Sequence, residues 1–411
     1  MADPRETIEA VWRIESARLI AGLARLTGDV GLAEDLAQDA LVAALERWPR
    51  AGVPDNPGAW LMATAKHRAI DELRRRKMAD RKQGDVEHEL VAARGQPDLD
   101  AQLDDHVGDD LLSLIFTACH PVLTTEARVA LTLRLLGGLT TDEIARAFLT
   151  SRPAIQQRIV RAKRTLAAAR VPFEVPRGAD LAARLGSVLE VIYLVFNEGY
   201  SATAGDEWLR PALCDEALRL GRILAGLMPG EAEVHGVVAL MELQASRLRA
   251  RVGRGGEPIL LLDQDRGRWD QLLITRGLAA LERAEALGGA SGPYTLQAAI
   301  AACHARARVP DETDWTRIVA LYDALTQLVP SPVVELNRAV ALGMAFGPAA
   351  GLEVVDALTE DPALRAYHLL PSVRGDLLFK LGRTAEARVE FDRAAGLTRN
   401  ARERDILRRR A

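Results

Sequence analysis

Apolar residues fall at helical intervals along almost the whole chain, and the sharpest case lies between Ser151 and Leu166. Ile155, Ile159, Ala162 and Leu166 recur every three or four residues, which puts them on one stripe of an α-helix. Ala154, Gln157, Arg158, Arg161 and Arg164 occupy the opposite side, and no acid interrupts them. Ser151 is placed to cap this helix. A shorter helix is predicted just before it, with Thr140 as N-cap and Glu143 completing a capping box. Two capped helices joined by a tight turn, the second basic on one face, read either as a DNA-binding pair or as a solvated helical hairpin.

Residues 8–48 give helical periodicity and end in the acidic amphipathic stretch Leu32–Leu41. A Pro/Gly-rich loop is expected from Pro49 to Pro57. Asn56 then caps a new helix with Pro57 at its first position, running to about Lys77. Leu61, Met62, Ala65, Ala69 and Leu73 share one of its faces. Trp60, Thr64, His67, Arg68, Asp71, Arg74 and Arg75 share the other. An aromatic ring interleaved with bases suits melted DNA, where bases stack and phosphates need counter-charge; Trp60 could equally belong to the core.

Residues 83–110 differ in kind, with nine acids against one base, Arg94. With Gly84, Gly95 and Pro97 they read as an acidic linker. Pro172 and Pro176 mark the next boundary. Beyond them the chain is predicted as helix after helix to its end. Gly375, Leu378, Gly382, Ala387, Phe391 and Ala394 have the spacing of a tetratricopeptide-like helical pair, and Val333–Leu358 looks like a more degenerate copy.

Composition narrows the class further. The 411 residues suffice for two to four domains, and abundant Ala, Leu and Arg with few aromatics favour an all-α protein. The net charge of −4 conceals the segregation just described. Cys119, Cys214 and Cys303 are scattered and odd in number, arguing against a disulfide framework or zinc site and for a reducing compartment. The N-terminal residues lack a signal-peptide core, and no apolar run approaches ~20 residues. The expectation is a soluble cytoplasmic protein without membrane contact.

No constellation for catalysis, metal or cofactor binding is legible. There is no phosphate-binding glycine loop, no His/Cys ligand spacing and no nucleophile elbow, so no enzyme is expected. Asn197, Glu198, Tyr200, Asp206, Asp263, Asp265, Arg266 and Trp269 form a polar set in the C-terminal half. They could line a ligand pocket or build a buried hydrogen-bonding network that fixes helix packing.

The order of acidic helix, capped basic-aromatic helix, acidic linker and helix-turn-helix resembles the extracytoplasmic-function group of sigma-70 family RNA polymerase sigma factors. Residues 8–80 look like sigma domain 2, residues 81–110 like its acidic linker, and residues 111–172 like sigma domain 4. The segment Glu34–Asp39 is similar to the family's core-polymerase-binding helix, and Ala59–Arg75 to its minus-10 recognition and melting helix. Residues 178–411 resemble the long helical extension of one subgroup, through Tyr193–Ser201, Asp263–Asp270 and Pro332–Ala339. Two departures bear on DNA contacts rather than on the domain: Leu149 stands where family members commonly carry Gly, and Pro153 sits early in the recognition helix.

The resemblance implies the following sites. Glu34, Asp35, Gln38 and Asp39 would face the polymerase clamp of the beta-prime subunit, and domain 4 would meet the beta flap. Asp55, Asn56, Trp60, Lys66, His67, Arg68, Arg74 and Arg75 would handle the minus-10 element, with the loop 51–56 receiving a flipped base. Ser151, Arg152, Ala154, Gln157, Arg158, Arg161, Lys163 and Arg164 would read the minus-35 element, Lys163 and Arg164 neutralising phosphates. The linker would lie in the RNA channel or act as a simple tether. Asn197, Glu198, Tyr200, Asp263, Asp265, Arg266 and Trp269 would form a regulatory contact, the extension standing in for a separate anti-sigma factor. The competing function is a one-component helix-turn-helix regulator with a helical sensor, which the melting-helix features disfavour.

Overall fold

The computed structural model describes residues 4–82, 107–202, 208–253 and 255–411. Among them lie eighteen α-helices and a few short 3-10 turns, with a single isolated β-bridge between Val252 and Pro258. The all-α expectation holds. The chain divides into two compact units, Met1–Val191 and Ile192–Ala411. None of the described helices is long and apolar enough to cross a membrane.

In the first unit, α1 (Pro4–Thr27), α2 (Val30–Ala51) and α3 (Pro57–Lys82) pack on one another. The periodic stretch is broken at Gly28, after which the Asp29 carboxylate accepts the Gly31 and Leu32 amides at 2.8 and 3.1 Å to start α2. Ile20, Leu23, Ala24, Ala33, Ala37, Ala40, Leu61, Ala65 and Ala69 close the core between them. The expected loop at Pro49 begins later. Proline in a last helical turn removes only one backbone bond, and the buried Trp48 holds that turn against the core, so α2 continues to Ala51. Asn56 caps α3 as expected, its side-chain oxygen accepting the Ala59 amide at 3.0 Å.

The same unit continues with α4 (Val107–Ala118), α5 (Thr125–Leu135), α6 (Thr141–Ala147) and α7 (Arg152–Ala168). Asp109 and Asp110, read as linker, instead form the first turn of α4, where acids favour the helix dipole; Asp110 is buried and ion-paired to Arg25 at 3.1 Å. The other linker acids, at 85–105, lie outside the described residues. α8 (Ala179–Tyr200) leaves this unit through Ser187, which donates to the Cys119 carbonyl at 2.7 Å, and Arg184, which donates to the Phe116 carbonyl at 3.0 Å.

The second unit is an array of helices that pack on their sequence neighbours: α9 (Pro211–Leu227), α10 (Ala232–Ala245), α11 (Gln271–Ala286), α12 (Pro293–Arg306), α13 (Trp315–Leu328), α14 (Pro332–Phe346), α15 (Pro348–Leu358), α16 (Leu369–Lys380), α17 (Thr384–Leu397) and α18 (Ala401–Arg410). The expected pair is α16 with α17, burying Leu378, Ala387, Phe391 and Ala394, and its degenerate copy is α14 with α15, joined at Gly347. One carboxylate ties distant helices end to side. Glu233 on α10 accepts the Tyr294 and Thr295 amides at 2.8 and 3.1 Å and the Thr295 hydroxyl at 2.6 Å, capping α12.

Candidate nucleic-acid interface

The helix-turn-helix folds as its sequence dictates. Thr140 Oγ1 accepts the Glu143 amide at 3.2 Å, and Glu143 Oε2 accepts the Thr140 amide at 2.8 Å, completing the capping box of α6. Ser151 Oγ accepts the Ala154 amide at 3.3 Å and starts α7, where Pro153 sits harmlessly in the first turn. Ile155, Ile159, Ala162 and Leu166 are the buried residues of α7, the two isoleucines and the leucine each stabilising the fold by roughly 1.5–3 kcal/mol. In the turn, Leu149 takes the left-handed conformation at φ 46° with its side chain exposed. That backbone explains why a glycine would suit the position.

Above the buried stripe, Ser151, Arg152, Gln157, Arg161 and Arg164 are exposed, while Ala154 and Arg158 are half-buried. Arg152 lies 3.5 Å from Asp142, a solvated pair that DNA can displace. The face thus offers donors suited to base edges and phosphates, carried on a helix fixed from behind. Lys163 departs from this pattern. Its ammonium points into the unit, 2.6 Å from Glu34 and 3.6 Å from Asp35, and is engaged with carboxylates rather than free for phosphate.

On α3, His67, Arg68, Arg74 and Arg75 are exposed and Lys66 and Trp60 half-buried. The Trp60 ring meets Trp48 edge-on at 5.3 Å, so it belongs to both the core margin and the surface. Arg68 pairs with Asp39 across the helices at 3.2 Å, and the His67 ring nitrogen lies 2.7 Å from the Ala63 carbonyl. Asp55 and Asn56 are exposed in the loop before α3, though the Asn56 oxygen is occupied by its cap.

The acidic face of α2 is split. Asp35 and Asp39 are exposed and Gln38 is half-buried, but Glu34, expected on that surface, is only 3% exposed. Arg134 of α5 donates to its carboxylate at 2.6 Å, Gln38 at 2.6 Å, and Lys163 of α7 completes the cage. Burial by itself would raise the Glu34 carboxyl, yet Lys163 and Arg134 outweigh it and hold the group below the ordinary carboxylate value. A buried carboxylate ringed by two cations is a joint between segments 100 residues apart.

In the second unit the predicted regulatory residues separate. Asp263 and Asp265 are exposed, and Asp265 serves its own 3-10 turn by accepting the Gly267 amide at 2.9 Å, so neither joins the network. Glu198 instead pairs with Arg210 in the interior, and Asn197 hydrogen-bonds Tyr193. Asp206 lies outside the described residues. Tyr200, Arg266 and the buried Trp269 do come together, around Arg247 and Arg251. Sequence reasoning missed those two arginines; their spacing of four at the end of an apolar helix was the available signal.

Comparisons with known proteins agree with this geometry. Residues 14–78 match the model of Sigma-70 region 2 and residues 113–166 that of Sigma-70, region 4. Residues 184–285 match a family of unknown function, DUF6596. An uncharacterized protein of Rhizobium meliloti (strain 1021) is 45% identical over 394 residues, spanning 95% of this chain and 91% of that protein. No solved structure matches the chain.

Proposed function

This chain belongs to the sigma-70 family, as an extracytoplasmic-function-like sigma factor with a C-terminal extension, and from that premise we propose how its parts divide the work of promoter recognition. The observation that carries the proposal is the exposed Ser151, Arg152, Gln157, Arg161 and Arg164 face over the buried stripe of α7. This face reads the upstream promoter element in the major groove. The α3 face bearing Trp60, Lys66, His67, Arg68, Arg74 and Arg75, with Asp55 and Asn56 ahead of it, engages the downstream element and its melted strand. Asp35, Gln38 and Asp39 of α2 face the beta-prime clamp of core RNA polymerase, and the helix-turn-helix domain meets the beta flap. The factor contributes specificity, and the polymerase the chemistry.

The Glu34 joint bears directly on this reading. Arg134 and Lys163 come from the promoter-reading segment and Glu34 from the polymerase-binding helix. The free chain is therefore held closed, and core polymerase opens it by taking the acidic face of α2. The helical extension of residues 178–411 controls that step in place of a separate anti-sigma factor. The test is promoter-dependent transcription with core polymerase by the full chain, together with comigration of the two on gel filtration. Failure to bind core, with helicity intact, would overturn the reading.

A further inference from the structure

Arginine side chains in a folded interior ordinarily find carboxylates, and three in the second unit do not. Arg247, Arg251 and Arg266 form no ion pair among the described residues, and the Nε atom of each is buried without a hydrogen-bond partner. They gather around two rings. The Arg251 guanidinium lies 3.7 Å over the Tyr200 ring, which Arg247 also faces at 5.8 Å; Arg247 faces Trp269 at 5.8 Å, and Arg266 the same ring at 4.9 Å. Arg247 thus stands between the other two. The Glu312 carboxylate favours the charged Arg266 from a distance, while its hydrogen bond goes to the Arg308 amide at 3.0 Å.

The three are not equivalent. Arg266 is anchored, donating to the His304 and Ala307 carbonyls at 2.6 and 2.7 Å, and Arg251 donates to the Tyr200 carbonyl at 3.0 Å. Among the described residues, the Arg247 side chain makes ring contacts alone. All three are half-buried, so solvent reaches the cluster while its floor of Trp269 and His304 is buried. Burial, with Arg247 and Arg266 nearby, pushes His304 down to about 3; the imidazole is neutral near pH 7 and its Nδ1 is buried without a partner. Cation–π contacts offset part of the cost of grouping like charges, but they neutralise none of it.

We propose that Arg247, Arg251 and Arg266, on their floor of Tyr200, Trp269 and His304, form a binding site for a small phosphate-bearing anion. Two anchored guanidiniums and one unanchored one suit a tetrahedral oxyanion, which takes several N–H donors at once. The site goes beyond the promoter-reading role and does not depend on it. It gives the C-terminal unit a small-molecule input of defined charge.

The test is thermal unfolding and calorimetric titration of the full chain with inorganic phosphate, pyrophosphate and adenosine monophosphate, against chloride at equal ionic strength. A rise in Tm with any of the three supports the site; adenosine monophosphate alone would show that the phosphate must carry an organic group. Arg247→Gln should weaken the binding about tenfold or more, since a charge-assisted contact is lost. It should also leave the Tm of the unliganded chain unchanged or raised, because a like charge is removed. Absence of any phosphate-dependent shift, or the same shift in Arg247→Gln, would overturn the proposal. So would an Arg247→Gln chain that binds as before and unfolds several degrees lower, which is the mark of a packing arginine.

Discussion

The Lys163 ammonium lies 2.6 Å from the buried Glu34 carboxylate, joining the second helix of the helix-turn-helix to the acidic helix of the same unit. The Lys163 and Arg134 side chains are each only about one-fifth exposed, so losing the carboxylate leaves two like charges that water solvates in part and that are better hydrated when the helices part. Glu34→Gln should therefore open the joint rather than unfold either part. We expect a larger radius of gyration by small-angle scattering. Affinity of the free chain for promoter DNA should rise by about 5–150-fold, the usual range for coupling between sites. Unchanged dimensions and unchanged DNA binding would show that the joint holds nothing shut.

The same joint has a pH dependence of fixed sign. The Glu34 carboxyl is lowered in the fold from its ordinary value of 4.5, so its contribution is complete above that value and is lost as pH falls through it toward the lower folded value. Scattering should show expansion of the native chain on acidification, and a smaller change in Glu34→Gln, which begins open. Equal expansion of both would assign the effect to other carboxylates.

On the face proposed to read the promoter, Arg161 is exposed and has no ion pair among the described residues. Arg161→Ala should cost about 1–3 kcal/mol of upstream-element recognition with core binding intact, measured by transcription from matched and mutated promoters. Normal output from the native promoter would place the reading residues elsewhere.

The turn before α7 stores strain at Leu149, whose φ of 46° is costly for a side chain that makes up for little by being exposed. Leu149→Gly should raise stability by up to about 1 kcal/mol, the relief of a left-handed residue less the added entropy of glycine. Differential scanning calorimetry of the two chains reads this directly.

Packing of α16 on α17 makes the opposite prediction at Gly375. A Cβ there would sit 2.9 Å from the Phe391 ring and 3.2 Å from the Ala387 carbonyl, with neither the ring nor the backbone free to withdraw. Gly375→Ala should cost about 1–3 kcal/mol, seen as faster hydrogen exchange in α16 and α17. An unaffected exchange rate would mean that the helix pair repacks freely.

Local rules made much of this legible. The stripe Ile155, Ile159, Ala162 and Leu166, the Thr140–Glu143 box and the Asn56 cap each depend on residues within four positions, or on period alone. The pairing of Gly375 with Phe391 joins two helices, and was legible only through the tetratricopeptide-like spacing that contains both residues. Glu34 was illegible because an acid on an amphipathic helix reads as solvated, and its burial depends on Arg134 and Lys163 far along the chain. Asp265 misled for the converse reason, since a charge beside an aromatic in sequence turned out to serve only its own turn. The spacing of Arg247 and Arg251 hinted at the arginine cluster, but bringing Arg266, Tyr200 and Trp269 to them required knowing which segments meet.

The Glu233 cap on α12 has a mechanical consequence. Sliding α10 past α12 by one residue would strip three hydrogen bonds at once from a single carboxylate, two of them from the first turn of a helix. Displacements that are cheap in a stack of smooth apolar faces are thereby made steep along this axis. The α10–α12 pair thereby resists slip along this axis, so a push on one of the two helices is carried by the other instead of being lost between them.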